Sequence, residues 1–133
     1  MQLFTYLNFG GNCEQAFRFY EEHFAGKIEM IMHHGEGPGG STPEHWRGKV
    51  MYARMSIGGT VLMGSDVPDK FEPMRSAYLF LNFKTTEEVE RAWALLTEGG
   101  QIHMPMEETF FAVRFGVVRD KFGTSWMIIQ ERQ

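Results

Sequence analysis

The chain of 133 residues is long enough for one domain with a hydrophobic core, and its 43% hydrophobic and 23% charged composition is that of a globular protein. A net charge of −4 without a basic stripe argues against a nucleic-acid partner, and no apolar run approaches the roughly 20 residues of a membrane span. The N-terminus MQLFTYLNF lacks the features of a signal peptide and the single cysteine fits a reducing compartment, so we expect a cytoplasmic protein.

The first half of the chain predicts a strand, a helix and three further strands. An apolar run near 3–9 ends in LNF, and Asn12, three residues before Gln15, predicts the N-cap of a helix. The apolar residues that follow have the i, i+3, i+4, i+7 spacing of a buried helix face: Cys13, Ala16, Phe17, Tyr20 and Phe24. Three strands are then predicted at 27–34, 49–57 and 60–65, with the Gly/Pro-rich loop HGEGPGGSTPEHWRG between the first two.

The second half repeats this order of elements. A strand near 77–83 again contains LNF, and Thr85, three residues before Glu88, predicts the next N-cap. The predicted helix buries a face made of Val89, Ala92, Trp93 and Leu96. Three more strands are expected near 101–104, 110–119 and 124–130.

Three short motifs that recur in the same order indicate an internal duplication. LNF at Leu7 returns at Leu81, GKIEM at Gly26 returns as GQIHM at Gly100, and GTVLM at Gly59 returns as GTSWM at Gly123. We therefore predict two βαβββ modules, at about 1–66 and 76–133, joined by a linker at about 67–75.

Side-chain alternation along the strands predicts a helix-covered face and a second face on which a ligand binds. Ala53 and Met55 are assigned to the helix face, as are the larger apolar residues of FAVRFGV. The second face is aromatic and apolar with a few polar groups, as in ligand pockets. A dimer interface or misassigned strands would give the same pattern. The predicted ligand-binding residues are Phe4, Tyr6, Asn8, Tyr52, Arg54, Met63, Tyr78, Phe80, Asn82, Arg114 and Met127, with Trp46 from the loop.

YLNFGGNCEQAFRFYEEHF, HGEGP and MEETFFAVRFGVVRDKFGTSWMI resemble segments of the PhnB-like branch of the vicinal oxygen chelate superfamily, which contains glyoxalases, bleomycin-resistance proteins and extradiol dioxygenases. The resemblance spans nearly the whole chain. It implies an α+β fold in which 1–133 form a single glyoxalase/bleomycin-resistance-like domain. Its two modules would build a cupped eight-stranded mixed sheet with two helices on the convex face, usually in a homodimer.

The same resemblance implies where a metal would bind in metal-using members. Those positions correspond here to Phe4 (or Thr5), Met63, Tyr78 and Met127. None of these residues is His, Asp or Glu, the ligand types that divalent metals need. We therefore predict no metal and no cofactor at this place.

A histidine-rich segment and a buried thiol are the other candidate sites. His33, His34, Glu36 and His45 contain metal-binding groups at an irregular spacing, and a loop that closes over the predicted cup, with Trp46 in contact with the ligand, is the favoured interpretation. Cys13 falls in an apolar helix series, which favours a packing role over a reactive thiol.

Charged residues near the strands offer two further functional assignments. Glu107 and Glu108 suit either a general base with a raised pKa or a solvated turn. Arg54 and Arg114 suit a clamp for an anionic group or structural ion pairs.

Three functional hypotheses follow from the sequence. The leading one is a metal-free protein that binds an aromatic or amphipathic small molecule with a polar group. The second is a metal-dependent lyase, isomerase or dioxygenase with a displaced metal site, and the third is a structural role for the aromatic face in dimerisation. No glycine-rich cofactor loop follows a strand in a pattern that would support methyl transfer.

Overall fold

The computed structural model describes residues 1–36 and 42–133, which form two compact units, Met1–Glu72 and Pro73–Gln133. Over the described residues, each unit contains one strand, one α-helix and three further strands in that order, with a short 3-10 helix added in the first unit. The duplication predicted from the sequence is thus present in the order of the elements. Among the described residues, no helix combines the length and the apolar character that crossing a bilayer requires.

The first unit is a mixed four-stranded sheet with one helix. Its elements are β1 (Thr5–Phe9), α1 (Cys13–His23), β2 (Lys27–His33), a short 3-10 helix (Glu44–Trp46), β3 (Val50–Ile57) and β4 (Thr60–Asp66). The strand order is β1-β4-β3-β2, in which β1 and β4 are parallel and the other neighbours are antiparallel.

The second unit has the same topology. Its elements are β5 (Leu79–Asn82), α2 (Thr86–Thr97), β6 (Gln101–Glu107), β7 (Ala112–Arg119) and β8 (Ser125–Glu131). The strand order is β5-β8-β7-β6, with β5 parallel to β8. The predicted α+β class with eight strands and two helices is confirmed. The eight strands form two hydrogen-bonded sheets of four strands each. In each unit the first strand pairs with the last strand of the same unit.

Each helix packs against its own sheet at a glycine. A Cβ added to Gly64 of β4 would lie 2.9 Å from the Phe17 ring of α1, and a Cβ added to Gly116 of β7 would lie 2.6 Å from the Trp93 ring of α2. Both distances are shorter than a normal van der Waals contact, so the strand must lack a side chain where the aromatic ring lies. The predicted buried helix faces are confirmed for the residues with less than 2% exposure in α1 and α2: Cys13, Ala16, Phe17, Tyr20, Val89, Ala92 and Leu96. Phe24 and Trp93, which were also assigned to these faces, are half-buried.

The two helices begin with different caps. Thr85 caps α2 as predicted, because its hydroxyl accepts the Glu88 backbone N–H at 3.1 Å and donates to the Glu88 carboxylate at 2.8 Å. Asn12 occupies the predicted N-cap position of α1, but its side chain makes no capping hydrogen bond. Its place is taken by Asp66, which comes from the end of β4 and cannot be identified from local sequence.

Asp66 connects three parts of the first unit through one buried carboxylate. Its Oδ1 accepts the backbone N–H groups of Gly11 and Cys13, both at 3.0 Å, and its Oδ2 accepts the Val50 N–H at 2.8 Å. Asp66 is 4% exposed, so water cannot replace these acceptors. The carboxylate therefore holds the β1–α1 turn, the start of α1 and the start of β3 together.

Replacement Asp66→Asn should lower the free energy of unfolding by about 2–4 kcal/mol, because the amide has one acceptor atom and its NH2 group would face a buried N–H. Urea denaturation monitored by circular dichroism measures this change. Asn12→Ala is the matched control and should not destabilise the protein, because the Asn12 Oδ1 is buried without a hydrogen-bond partner. An equal loss in both variants would show that Asn12 contributes to the cap after all.

Candidate functional site

The sheet face opposite α1 carries the predicted binding residues of the first unit. Ala53 and Met55 of β3 are buried on the α1 side, so alternation turns Tyr52 and Arg54 to the other face. In the strand ladders Met63 of β4 lies opposite Arg54 and also beside Tyr6 of β1. Because register partners share a face, these side chains are neighbours on one surface.

Two methionines that the sequence analysis missed belong to the same surface. Met30 and Met32 of β2 lie opposite Arg54 and Tyr52, and they are 47% and 38% exposed. The spacing of the two methionines in KIEMIMH is a signal that could have identified them, although a register shift follows Ile28. We call this surface the Arg54 face, defined by Phe4, Tyr6, Asn8, Met30, Met32, Tyr52, Arg54 and Met63.

Arg54 lies in the middle of the Arg54 face. Its guanidinium carbon is 5.4 Å from the centroid of the Phe4 ring, and its Nη1 is 3.9 Å from Met63 Sδ. Its Nε donates to Glu29 Oε1 at 3.3 Å. Hydrogen bonding with Tyr52 is the largest cause that raises the pKa of Arg54, followed by the smaller contribution of Glu29. Arg54 is thus a fixed positive charge on an aromatic and thioether surface.

The second unit presents a related surface opposite α2. Phe80 and Asn82 of β5 pair with Met127 and Ile129 of β8. We call it the Phe80 face, and it consists of Tyr78, Phe80, Asn82, Met104, Phe115, Val117 and Met127. Phe80 is 54% exposed. The polar groups of this face are hydrogen-bonded: the Asn82 Nδ2 donates to Glu131 at 2.8 Å, and the Tyr78 hydroxyl accepts from Arg75 Nη1 at 3.4 Å.

Arg114 is not on the Phe80 face, so its predicted position is wrong. Its Nε donates to Glu90 Oε1 of α2 at 2.9 Å. Gly116, two residues further along β7, lies under the Trp93 ring of α2. Residues two apart on a strand share a face, so Arg114 lies on the helix side of its sheet.

The wrong assignment has a packing reason. The larger apolar residues of FAVRFGV were expected to face the helix, since a helix normally covers the most hydrophobic face of a sheet. The Trp93 ring occupies that space, and only a residue without a side chain fits beneath it. Phe115 and Val117 therefore lie on the opposite face, where Phe115 is half-buried and Val117 is buried.

His33 is held between two carboxylates at the end of β2. Its Nε2 is 2.6 Å from Glu14 Oε1, and its Nδ1 is 2.8 Å from Glu36 Oε1. Arg18 pairs with the other oxygen of Glu14 at 3.3 Å. The hydrogen bond with Glu14 is the largest cause that raises the pKa of His33, and the same bond lowers the pKa of Glu14. A protonated imidazole has no free lone pair, so this arrangement favours an ion pair over metal binding.

His34 and His45 contact groups other than His33 and its two carboxylates. The His34 ring packs against Trp46 with centroids 5.1 Å apart, and His45 Nε2 is 3.5 Å from Asp69 Oδ1. Trp46 Nε1 donates to Asp69 Oδ2 at 3.0 Å. The predicted closing loop includes 37–41, which lie outside the described residues.

Cys13 and Glu108 do not have the properties of catalytic groups. Burial, followed by the negative charges of Asp66 and Glu14, raises the pKa of the Cys13 thiol far above its usual range, which confirms its packing role. The Arg132 guanidinium, 2.8 Å from Glu108, lowers the pKa of that carboxyl. The general-base hypothesis required a raised pKa, so it is wrong for Glu108.

The positions that the fold resemblance assigns to metal ligands do not fit a divalent metal. Phe4 and Tyr78 offer a phenyl ring and a phenol, and Met63 and Met127 offer thioethers, whereas zinc, manganese or ferrous iron require imidazole and carboxylate donors. Within residues 1–36 and 42–133, no group of three His, Cys, Asp or Glu side chains is placed to hold a metal ion.

Comparison with known proteins relates the whole chain to one family. The profile of the family described as 3-demethylubiquinone-9 3-methyltransferase matches residues 1–129. Protein YjdN of Escherichia coli K12 is 32% identical, in a match covering 96% of this chain and 94% of that protein. In the solved structure of PA1353 from Pseudomonas aeruginosa the identity is 36% and the TM-score 0.88, with 100% of this chain and 99% of that chain covered.

Two further structures extend the comparison. The PhnB protein of Bacillus cereus is 29% identical with a TM-score of 0.84, over 98% of this chain and 99% of that chain. A glyoxylase/bleomycin resistance protein/dioxygenase domain from Frankia is only 15% identical, with a TM-score of 0.62 over 99% of this chain and 98% of that chain. The latter similarity shows the fold alone, which is the fold predicted from the sequence.

The His33 ion pairs predict a specific pH dependence of stability. Because the pKa of His33 is raised above its unfolded value of about 6.5, its stabilisation is complete below about pH 6.5 and is lost as the pH rises through the folded pKa. The lowered pKa of Glu14 acts at the acid end, where stabilisation is lost as the pH falls below about 4.3. The difference in urea midpoint between wild type and His33→Gln should therefore be greatest at pH 5–6 and shrink towards pH 9.

His45→Gln serves as the control for this measurement. The His45 side chain is 63% exposed and lies 3.5 Å from Asp69, so its replacement should alter the midpoint little at any pH. A wild-type advantage over His33→Gln that stays constant from pH 5 to pH 9 would contradict the ion-pair account.

Proposed function

This chain belongs to the PhnB-like family, described as 3-demethylubiquinone-9 3-methyltransferase, and we propose that it is a small-molecule binding protein that uses no metal. The Arg54 face would hold the ligand through aromatic and thioether contacts. The Phe80 face of the second unit is a separate candidate surface. A homodimer and a cytoplasmic location complete the proposal. The family resemblance supports the former, and the single buried thiol of Cys13 supports the latter.

The observation that carries the proposal is the apolar character of an exposed sheet face. The outer face of a sheet that only contacts water is normally polar. On the Arg54 face, Tyr6 is 48% exposed and Met30 is 47% exposed, and Phe4 and Met63 are half-buried around one cation. An apolar surface with one placed polar group has the composition of a ligand site, and methionine adapts to ligands of different shape.

The structure of the β1–α1 turn argues against binding of a phosphate-bearing cofactor at this turn. Gly10 and Gly11 lie between a strand and a helix, where nucleotide-binding proteins hold a phosphate group on backbone N–H donors. Here the N–H groups of Gly11 and Cys13 donate to the Asp66 carboxylate instead. An anionic cofactor group would have to displace a buried charge of the same sign.

Fluorescence of N-phenylnaphthylamine, a neutral aromatic probe, tests the proposed binding. We expect the folded protein to bind the probe, and Tyr6→Ser to weaken binding threefold to tenfold, because an aromatic contact is worth about 1 kcal/mol. Phe110→Ser is the control, since Phe110 is 93% exposed and lies outside the strands. Near-ultraviolet circular dichroism should confirm that both variants keep their tertiary structure.

Two results would contradict the binding proposal. Equal weakening by both variants would indicate adsorption to exposed aromatic residues in general. A wild-type protein that does not bind the probe and elutes as a dimer would favour the alternative that a second copy covers the aromatic face.

Elemental analysis tests the metal-free part of the proposal. Purified protein equilibrated with zinc, nickel, manganese or ferrous iron and then dialysed should retain much less than one metal ion per chain, because the family positions carry phenyl, phenol and thioether groups. Stoichiometric metal that survives dialysis, and that is lost in His33→Gln, would favour a metal-dependent lyase, isomerase or dioxygenase.

A further inference from the structure

We infer that Arg54 selects ligands with a single anionic group, a carboxylate or a sulfonate, attached to an aromatic or other planar apolar body, and that the anion displaces Glu29 when it binds. This inference rests on the proposed function, because it assigns the ligand class of the Arg54 face. It adds a residue that sets specificity and an internal carboxylate that competes with the ligand.

The surroundings of Arg54 suit an anion attached to an apolar body. Phe4 lies beneath the guanidinium, and Met63 borders its Nη1 side. These contacts hold the side chain over the face without neutralising its charge. A guanidinium group presents several N–H donors in one plane, a geometry that matches the two oxygens of a carboxylate or sulfonate. The flanking rings and thioethers provide the surface for the apolar body of the ligand.

Glu29 is a weak internal partner for Arg54. Of the carboxylates in the described part of the chain, Glu29 alone lies within 4.0 Å of this guanidinium, and one of its oxygens contacts Nε at 3.3 Å. The side chains are 35% and 42% exposed, and an exposed pair with one long contact contributes little. An incoming anion that accepts two hydrogen bonds can therefore replace Glu29, which remains hydrated when released.

The duplication shows that the charge at this place is not required by the fold. Met63 and Met127 are equivalent in the repeat, and their ladder partners are Arg54 and Val117 respectively. The same topological position thus holds a cation in the first unit and an apolar residue in the second. Val117 is 3% exposed, whereas the Arg54 side chain is 35% exposed, so the first unit presents a guanidinium where the second unit has a buried apolar residue.

Arg114 provides a matched control for Arg54. Both guanidinium side chains are 35% exposed, and each pairs through Nε with one glutamate, Glu29 for Arg54 and Glu90 for Arg114. Arg114 lies on the helix side of its sheet and Arg54 on the opposite side of its own. Replacing either arginine removes the same charge, but only the change at Arg54 alters the Arg54 face.

The experiment compares two probes that differ in one group, anilinonaphthalene sulfonate and the neutral N-phenylnaphthylamine. Fluorescence titrations give the affinity of each probe for wild type, Arg54→Gln, Glu29→Gln and Arg114→Gln. We expect Arg54→Gln to weaken the sulfonate probe about tenfold and the neutral probe less than about twofold. Glu29→Gln should strengthen the sulfonate probe about twofold to threefold, and Arg114→Gln should change neither.

The outcomes separate this inference from the proposed function. If wild type binds the neutral probe and Arg54→Gln leaves the preference for the sulfonate unchanged, the inference is wrong and the binding proposal stands. Equal weakening of both probes by Arg54→Gln would reduce Arg54 to a structural residue and overturn the inference. Equal effects of Arg54→Gln and Arg114→Gln would assign the preference to net charge, with the same consequence. If wild type binds neither probe, both the binding proposal and the inference about Arg54 are wrong.

Discussion

The first unit depends on the buried carboxylate of Asp66. Its two oxygens accept three backbone N–H groups from the β1–α1 turn, the start of α1 and the start of β3. A buried donor without an acceptor costs more than an average hydrogen bond contributes, so one side chain fixes where three segments meet. The consequence reaches the Arg54 face, because β1, β3 and β4 supply most of its residues in a register that this carboxylate helps to hold.

The contact of each helix with a glycine determines which side chains are left for a ligand. Phe17 lies over Gly64 and Trp93 over Gly116, and close packing on one side of the sheet sends the larger residues of the neighbouring positions to the other side. In β7 this places Phe115 and Val117 on the Phe80 face and Arg114 against α2. The chemistry of the exposed face is therefore partly a result of how tightly the opposite face is packed.

The two units share a topology but differ in the residue that lies opposite the equivalent methionines of β4 and β8. Arg54 introduces a cation opposite Met63, whereas Val117 lies opposite Met127. The positions that the family resemblance assigns to metal ligands carry a phenyl ring, a phenol and two thioethers in this chain. In the first unit a guanidinium lies among an aromatic ring and a thioether, and the binding proposal rests on this arrangement.

Local sequence determined the elements of this protein, their duplication and most of the Arg54 face. The period of the apolar residues fixed the helices, and alternation placed Tyr6, Tyr52 and Arg54 correctly, because both signals depend on residues close in the chain. Contacts between distant residues decided the rest. Asp66 replaced Asn12 as the cap of α1 from 54 positions away, and Trp93 reversed the expected faces of β7. A local sequence pattern does not show which side chain from another strand will accept the first N–H groups of a helix, or how much space remains beneath an aromatic ring. Both depend on the tertiary structure.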